Sequence, residues 1–489
     1  MKAREHRAIG DTATGGAQVN LGGRSADERF VLRYGDVVAL SGDFFLPDDC
    51  PVLDQDNTAS SPEALISGGL FTLATIPGDK GTQVGTRDEI ICALKVMAED
   101  EATADPRFAP GGRFADFKAS SAALLTSVEK RVRDRFLTLG ATNTDHFVVP
   151  DGQDTAARRD GLRVGRYDSA VLAYRSLHQV AIEKACRLGR ADGDLSEAMA
   201  REAAAQHFLT DAFAAGHLRT PVAGIRDFWQ RRHPCFWERL QRKVASDTAA
   251  ALRELGGPLR LLPASFLYRR TLLAVKRRTA GYPVISLGDL LAKVFHDWDN
   301  CHGLRLEGGG VLFGDGCLDE GVTKRLVLAA VRAGIDDIEA AFGLGASGRR
   351  LSGQRLYQAV RTATGAPGEV FLAETKIPKP SADNPPQNWR AADVEALWAS
   401  PIVGSTGTTV GQAVAEVLEA GQELPRRLDC LGHGIVNELR LPALPGLRQW
   451  ASRKACEAYH HGFMNSLARD PKGTVLDIIK PSGFPLDSG

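Results

Sequence analysis

Apolar residues recur every three to four positions through most of the chain, which is the spacing of helices that bury one face. Residues 167–188 and 195–215 show this pattern in two long stretches joined by the polar linker G-R-A-D-G-D. Residues 286–300 are amphipathic and begin with a serine suited to cap a helix. Further helical patterns cover residues 114–139, residues 225–255 with a kink expected at Pro234, and residues 318–342. The pattern predicts a mainly α, multi-helix fold.

Other stretches depart from this pattern. Residues 46–112 are rich in Pro, Gly, Asp and Ser, which predicts a long surface excursion. Two short apolar runs around a triple glycine follow residue 300 and are typical of a short β-hairpin. Residues 346–489 alternate helical stretches with proline-rich links. We therefore expect a main domain of residues 1–345 and a C-terminal helical extension of residues 346–489.

Composition and charge narrow the class of protein. The chain has 489 residues, of which 43% are hydrophobic, so it can bury a sizeable core. Its 60 basic and 60 acidic residues give a formal net charge of zero, so we expect no nucleic-acid partner. The eight cysteines are scattered and contain no C-x-x-C pair, as in reduced proteins. No stretch has the pattern of a secretory signal or a transmembrane span, which predicts a cytoplasmic protein or one exported without a classical signal peptide.

The candidate chemistry centres on residues 206–219, Q-H-F-L-T-D-A-F-A-A-G-H-L-R. His207 and Asp211 are four residues apart, so they would share one face of a helix. His217 follows Gly216, which can end or bend a helix and so turn His217 back toward the pair. Two imidazoles and a carboxylate that converge at a helix end form a ligand set suited to zinc. The alternative is a core helix with a hydrogen-bonded histidine and a capping aspartate.

Two acids near the N terminus are further candidates. Asp36 and Asp43 each follow a glycine in an apolar run and are seven residues apart, so both would lie on one side of a helix. Two buried carboxylates there would require partners. His6 precedes them, although a lone histidine near a terminus is more often solvated surface. His178, in the helical stretch 167–188, has no motif partner and is expected to be packed or hydrogen-bonded.

Two later segments carry further possible ligands. His146 stands beside Asp145 in a short turn-like segment, where the carboxylate could orient the imidazole. An exposed histidine in an Asx-turn is the alternative. His296 and Asn300 are four residues apart on a predicted helix, and Asp297 lies between them.

Taken together, these motifs resemble those of the bacterial zinc-dependent phospholipases C, whose fold is shared with fungal single-strand nucleases. The segment H-F-L-T-D-A-F-A-A-G-H matches the family pattern His-(Phe/Tyr)-x-(Gly/Thr)-Asp-x5-His. The resemblance extends to a subfamily of large metallophospholipases C from environmental bacteria, pathogens and fungi. It is carried there by E-H-R-A-I-G-D, Y-G-D-V-V-A-L-S-G-D-F, D-P-R-F-A-P-G-G, D-H-F and H-D-W-D-N-C-H-G, and it covers about residues 5–320.

The resemblance implies a phospholipase C/nuclease-like helical bundle that holds two to three zinc ions. The metal ligands that it implies are His6, Asp43, His146, His207, Asp211, His217, His296 and Asn300, with Asp297 as the alternative to Asn300. Asp211 would bridge two metals, Asp43 and Asp36 are the candidates to act on the attacking water, and Arg219 would bind the phosphate. The chain departs from the family at three points: Ala215 replaces the proline usual two residues before the last histidine of the motif, no tryptophan lies near its start, and Asn300 replaces a glutamate. A neutral amide is a poorer zinc ligand than a carboxylate.

The expected function is that of a zinc-dependent phospholipase C acting at a membrane or micelle surface. Residues 1–345 would be its catalytic domain, and the products would be diacylglycerol and a phosphorylated head group. Bound divalent metals suit this reaction because they offset charge on the phosphate oxygens and activate water. The alternatives are a zinc-dependent single-strand nuclease or 3′-nucleotidase on the same scaffold, and a non-enzymatic helical protein with structural zinc or none.

Overall fold

The computed structural model describes residues 3–21, 31–42, 94, 146–148, 169–255, 257–279, 286–384, 387–403, 407–420, 429–439 and 446–479. The predicted surface excursion at residues 46–112, apart from Leu94, and the predicted helix at residues 114–139 lie outside these residues. Within the described part, helices dominate, and the sheets are two antiparallel pairs of short strands. The prediction of a mainly helical fold with a short hairpin is confirmed.

The helices and strands are numbered here in chain order. The helices are α1 (Ala3–Thr14), α2 (Tyr34–Leu40), α3 (Ala170–Arg190), α4 (Ser196–Asp211), α5 (Ala215–Arg219), α6 (Val222–Arg232), α7 (Phe236–Leu255), α8 (Ala264–Thr279), α9 (Leu287–His302), α10 (Thr323–Ala346), α11 (Gly353–Thr364), α12 (Val394–Ala399), α13 (Val410–Ala420), α14 (Asp429–Leu439), α15 (Leu447–Tyr459), α16 (Asn465–Arg469) and α17 (Pro471–Ile479). The strands are β1 (Gln18–Asn20), β2 (Val31–Arg33), β3 (Leu304–Arg305) and β4 (Val311–Leu312), paired β1–β2 and β3–β4. Two 3₁₀ turns cover Gly257–Leu261 and Glu374–Lys376, and a π-helical turn covers His460–Met464.

Local sequence signals explain several element boundaries. Ser286 caps α9 as predicted: its hydroxyl oxygen accepts from Asp289 N at 3.1 Å, and Asp289 Oδ2 accepts from Ser286 N at 2.7 Å. The expected kink at Pro234 is instead a break, because one helix ends at Arg232 and the next begins at Phe236. The triple glycine lies between β3 and β4, as the hairpin prediction required.

The described residues form two compact units, each discontinuous in sequence. The first unit comprises the described residues within Met1–Gly111, Ser127–Ala223 and Phe295–Pro386, and the second those within Gly224–Val294 and Gln387–Gly489. This grouping differs from the sequence-based division at residue 345. The described residues within 224–294 pack with residues after 386, which are far from them in sequence. None of the described helices has both the length and the apolar character needed to cross a bilayer.

The core of the first unit is built by α3, α4 and α10, which pack against one another. Buried apolar side chains from all three helices meet there, among them Tyr174, Phe208, Leu209, Val327 and Val331. The alanine-rich face of α4 is buried along almost its whole length, which brings its C-terminal end, with His207 and Asp211, into the interior.

Two glycines allow the backbones of α3 and α10 to touch. A β-carbon added at Gly189 would lie 2.1 Å from Phe342 O, and one added at Gly345 would lie 2.1 Å from Cys186 O. Both distances are far shorter than a van der Waals contact, and the obstructing atoms belong to the backbone. A larger residue at either position would therefore force the two helices apart.

A buried ion triplet lies between the same helices. His178 Nδ1 is 2.5 Å from Glu202 Oε2, and His178 Nε2 is 3.3 Å from Asp337 Oδ2. Burial alone would lower the pKa of His178, but the two carboxylates outweigh it and raise the pKa to about 10. His178 is thus a hydrogen-bonded core histidine that joins α3, α4 and α10 as an imidazolium.

The second unit has its own core between α7, α8, α14 and α15. Leu252, Leu267, Ile435 and Ala455 come from these four helices and are all fully buried. The helices α7 and α8 are connected through the 3₁₀ turn Gly257–Leu261 and pack against each other.

We expect Gly189→Ala to lower the free energy of unfolding by about 1–3 kcal/mol, because the new methyl group meets the α10 backbone. Gly343→Ala is the matched control, since a β-carbon there has no atom within 4 Å. It should stabilise the protein by up to about 1 kcal/mol through helix propensity. Urea unfolding followed by circular dichroism measures both, and equal effects of the two substitutions would contradict the close helix contact.

The His178 triplet predicts a pH dependence of stability. The pKa of His178 is higher in the folded than in the unfolded protein, so its contribution is complete below about pH 6.5 and is lost as the pH rises toward 10. The loss should reach about 1.4 kcal/mol per pH unit at most. Urea unfolding between pH 6.5 and 10 should show a shallower decline for His178→Gln than for the parent. Parallel curves would show that His178 is uncharged.

Candidate metal centre

The Asp211 carboxylate is buried and lies among four imidazoles. Its Oδ1 is 3.4 Å from His6 Nε2 and 3.5 Å from His217 Nδ1. Its Oδ2 is 2.7 Å from His146 Nδ1 and 3.4 Å from His207 Nε2. All five side chains are at most 7% exposed. The structure thus brings together histidines from four separate segments around one acid.

Helix geometry places His207 and Asp211, and a helix break places His217. His207 and Asp211 lie one turn apart on α4, as expected from their spacing. The helix ends at Asp211 and a new one begins at Ala215, so the chain has already turned before Gly216. The role predicted for Gly216 is therefore wrong. It lies inside α5, where a β-carbon would come within 2.4 Å of His296 O, so its function is close packing against α9.

Two hydrogen bonds hold the segment that contains His146 against α5. His217 Nδ1 donates to His146 O at 2.8 Å, and Val148 N donates to His217 O at 2.9 Å. The two bonds tie residues 146–148 to α5, so the two imidazoles keep their positions relative to each other.

The end of α2 approaches the site through Gly42. Its backbone φ is +80°, and a β-carbon there would lie 2.3 Å from His207 Cδ2. Only glycine suits both conditions. Because α2 ends at Leu40, the expectation that Asp36 and Asp43 share one side of a helix is wrong. Asp43, the predicted ligand and catalytic residue, lies outside the described residues.

The hydrogen bonds of the imidazoles identify which nitrogens carry lone pairs. His207 Nδ1 donates to Val38 O at 2.9 Å, because a carbonyl only accepts. The Thr210 hydroxyl donates to backbone carbonyls at 2.7 and 2.8 Å, so it accepts from His6 Nδ1 at 2.6 Å. The Nε2 atoms of both histidines are therefore unprotonated when the rings are neutral, and both face the Asp211 carboxylate.

Two lone pairs beside a carboxylate repel it unless a cation lies between them. His6 Nε2 has no hydrogen-bond partner within the described part of the chain. His6, His207 and Asp211 each offer one ligand atom, and these atoms lie within 4.8 Å of one another; we call them the first ligand group. The 3.4 Å separations from Asp211 equal the spacing of about 3.4 Å between ligand atoms of a tetrahedral zinc site. The donors therefore fit a divalent metal.

A second ligand group consists of His217, His296 and Asp315. His296 Nε2 is 3.4 Å from Asp315 Oδ2, and His217 Nε2 is 3.9 Å from Asp315 Oδ1. His217 donates through Nδ1 to a backbone carbonyl, which leaves its Nε2 lone pair on the side of Asp315. This set of two imidazoles and one carboxylate has the same chemistry as the first.

Asp315 is the ligand candidate that sequence reasoning missed. It follows Gly314 just after β4, in a Gly-Asp pair like those at positions 36 and 43, but such pairs recur along the chain and do not single it out. Glu5 holds its loop: Oε2 accepts from Gly316 N at 2.9 Å and Oε1 from Leu318 N at 2.8 Å. The E-H motif near the N terminus therefore supports both groups, through Glu5 and His6.

Asn300 has a positioning role in the structure. Its Oδ1 accepts from Gly216 N at 2.6 Å, and its Nδ2 lies 3.0 Å from His296 Nε2. A β-carbon at Gly314 would come within 1.6 Å of Asn300 Oδ1, so the amide is enclosed by backbone on two sides. The amide oxygen that was predicted to bind metal is engaged, and Asp315 supplies the carboxylate of this group.

Asp297 and Asp36, two other predicted residues, have partners different from those expected. Asp297 Oδ1 lies 2.9 Å from His296 Nδ1, so Asp297 orients the imidazole. Asp36 Oδ1 pairs with Arg7 Nε at 2.8 Å, and Oδ2 accepts from Arg33 N at 3.3 Å. Burial raises the pKa of Asp36 and Arg7 lowers it in part. These contacts join α1 to the start of α2 and do not support a catalytic role.

Arg219 was predicted to bind the phosphate, but the structure pairs it with Asp299. Its Nε donates to Asp299 Oδ2 at 2.9 Å and its Nη2 to Asp299 Oδ1, a two-bond arrangement between side chains that are at most 5% exposed. The pair fastens α5 to α9, and breaking it would leave a buried charge.

The electrostatics keep the ligand atoms in their metal-binding forms. Burial, followed by neighbouring positive charge, lowers the pKa of His207 well below its usual value and that of His217 to about 3. Burial raises the pKa of Asp211, but its interactions with nearby groups, including His217 and His6, lower it well below its usual range. Neutral imidazoles and ionised carboxylates are the forms that bind metal ions.

We expect the purified protein to retain about two divalent metal ions per chain, one for each ligand group. Asp315→Asn should lose about one of them, because a neutral amide replaces the carboxylate of the second group. Asp319→Asn is the matched control, since the Asp319 side chain is 77% exposed. Mass spectrometry of the metal content after dialysis gives the count. Equal content in the parent and Asp315→Asn would exclude Asp315 as a ligand.

The chain was compared with known proteins in three ways. No family model, no curated protein and no solved structure matched it. Any assignment to a family therefore depends on the motifs of the sequence together with the two ligand groups described here.

Proposed function

We propose that this protein is a zinc-dependent phospholipase C, which hydrolyses the glycerol-side phosphodiester bond of phospholipids. The observation that supports this most is the Asp211 carboxylate, which contacts His6 and His207 of the first ligand group and His217 of the second. Two adjacent cation sites are typical of enzymes that cleave phosphodiesters. The order of the motifs that resemble zinc phospholipases C agrees with this reaction class.

The residues of the two groups would hold the zinc ions, and their neighbours hold those residues. Zinc, when bound, offsets charge on phosphate oxygens and lowers the pKa of water. Val38 O and Thr210 fix the ring orientations of His207 and His6. Asp297 does the same for His296, so the donor atoms keep their positions without further reorganisation.

The binding of the phosphate follows from the same contacts. Arg219 is tied to Asp299, so it is not available as a clamp for the substrate. The negative charge of a phosphodiester would therefore be balanced mainly by the bound cations. Phe147 stacks on His217 at 4.6 Å but is only 6% exposed, so it offers no platform on which a nucleobase could stack. The position of Phe147 therefore gives no support to the nuclease alternative.

We expect the zinc-loaded protein to release diacylglycerol and a phosphorylated head group from phospholipid in mixed micelles. Chelation should abolish the activity and zinc should restore it. His207→Ala should lower kcat more than about a hundredfold even with zinc present, because it removes a ligand atom. His461→Ala, an exposed histidine outside both groups, should leave kcat unchanged.

The same preparations distinguish the alternative functions. Cleavage of a single-stranded oligonucleotide without cleavage of phospholipid would identify a nuclease on this scaffold. Retention of at most one zinc ion, with no hydrolysis of either substrate, would leave a structural metal site and contradict the proposal.

A further inference from the structure

The helix α8 of the second unit is strongly basic although the chain as a whole is neutral. Its sequence A-S-F-L-Y-R-R-T-L-L-A-V-K-R-R-T contains five basic residues and no acidic one. Arg269 and Lys276 are exposed. Of the described residues, Glu438 forms an ion pair with this helix, through Arg277. The helix therefore presents a local positive face that the net charge of zero conceals.

The turn that leads into α8 carries an exposed leucine. Leu261 ends the 3₁₀ turn Gly257–Leu261, and its side chain is 80% exposed. The next most exposed large apolar side chain among the described residues is Val31, at 44%. Arg260 beside it is exposed, and so is Arg253 in the last turn of α7. An exposed leucine with an exposed arginine before it thus lies at the start of the basic helix.

The outward side of α8 alternates basic and apolar positions. Ser265, Arg269, Leu272 and Lys276 follow a spacing of four, three and four residues, so they lie along one side of the helix. The opposite side is buried against the core of the second unit through Leu267, Thr271, Ala274 and Val275. The guanidinium of Arg270 lies 5.3 Å from the ring of Phe266, which is partly buried. Apolar surface thus reaches the exterior between the cations.

We propose that this surface binds an anionic phospholipid bilayer. We call it the basic face, and it consists of Arg260, Leu261, Arg269 and Lys276. Basic side chains are attracted to acidic head groups. An exposed leucine is stabilised when it is buried at the boundary between head groups and acyl chains. Nucleic acid would satisfy the cations but would not bury Leu261. The proposal rests on the proposed function, since a phospholipase C must reach a lipid surface.

Co-sedimentation of the full-length, zinc-loaded protein with vesicles tests the proposal. The vesicles contain phosphatidylcholine alone or phosphatidylcholine mixed with phosphatidylglycerol. The parent should bind the anionic vesicles preferentially, and added salt should weaken the binding. Arg269→Gln/Lys276→Gln should lower the partition coefficient about thirtyfold, and Leu261→Ser about tenfold. Glutamine is a good helix former, and Leu261 is exposed, so these variants should fold.

A matched control tests whether binding depends on the position of the positive charges or only on their number. Arg469→Gln/Lys472→Gln removes two exposed cations from α16 and α17 of the same unit and should bind as the parent does. Equal binding of Arg269→Gln/Lys276→Gln and the parent would overturn the proposal. So would equal binding of the parent to neutral and anionic vesicles, or preferential binding to a single-stranded oligonucleotide.

Hydrolysis assays distinguish binding to the lipid surface from catalysis at the metal centre. Cleavage of a short-chain phospholipid, monomeric in solution, should be the same for the parent and Arg269→Gln/Lys276→Gln, whereas cleavage of anionic vesicles should fall with binding. A lower rate on the monomeric substrate would contradict a role limited to the lipid surface. If the parent cleaves neither substrate, the proposed function fails, while the sedimentation result still decides the role of the basic face.

Discussion

The arrangement of the first unit depends on one buried carboxylate. Moving an ionised aspartate out of water costs far more than a single hydrogen bond returns, so Asp211 needs positive charge close by. Four imidazoles surround it, and the hydrogen bonds of His6 and His207 turn their lone pairs toward it. Such a site is complementary to a divalent cation. This requirement explains why α1, α4, α5 and residues 146–148 converge although they are far apart in sequence.

The precision of the site comes from atoms that do not bind metal. Backbone carbonyls of Val38 and His146 orient two imidazoles, and Asp297 orients a third. Close approach of backbone to side chain is possible because glycine occupies positions 42, 216 and 314. The ion pair of Arg219 with Asp299 and the bonds of Asn300 fasten α5 to α9. Several residues that resemble ligands in the sequence thus serve to hold the ligands in place.

Each of the two units has its own local charge. The first unit brings imidazoles and carboxylates together in two ligand groups, a donor set that favours cations. The second unit exposes an excess of basic side chains along α8, which favours anions. A net charge of zero is therefore the sum of opposite local fields, and the chemistry of each site follows from its local field.

The sequence by itself determined the helical class, the positions of the long helices α3, α4, α7, α9 and α10 and the pairing of His207 with Asp211, because these features follow from spacing along one element. It also indicated His6, His146, His217 and His296, through the order of motifs, as candidate ligands. Only the tertiary structure decided which polar groups meet. Asp315 joined the second ligand group, and Arg219, Asn300 and Asp36 acquired other partners, because hydrogen-bond partners far apart in sequence are selected by the packing of helices. Local spacing contains no information about that packing, so a carboxylate that binds a metal and one that supports a neighbouring helix look alike until the chain is folded.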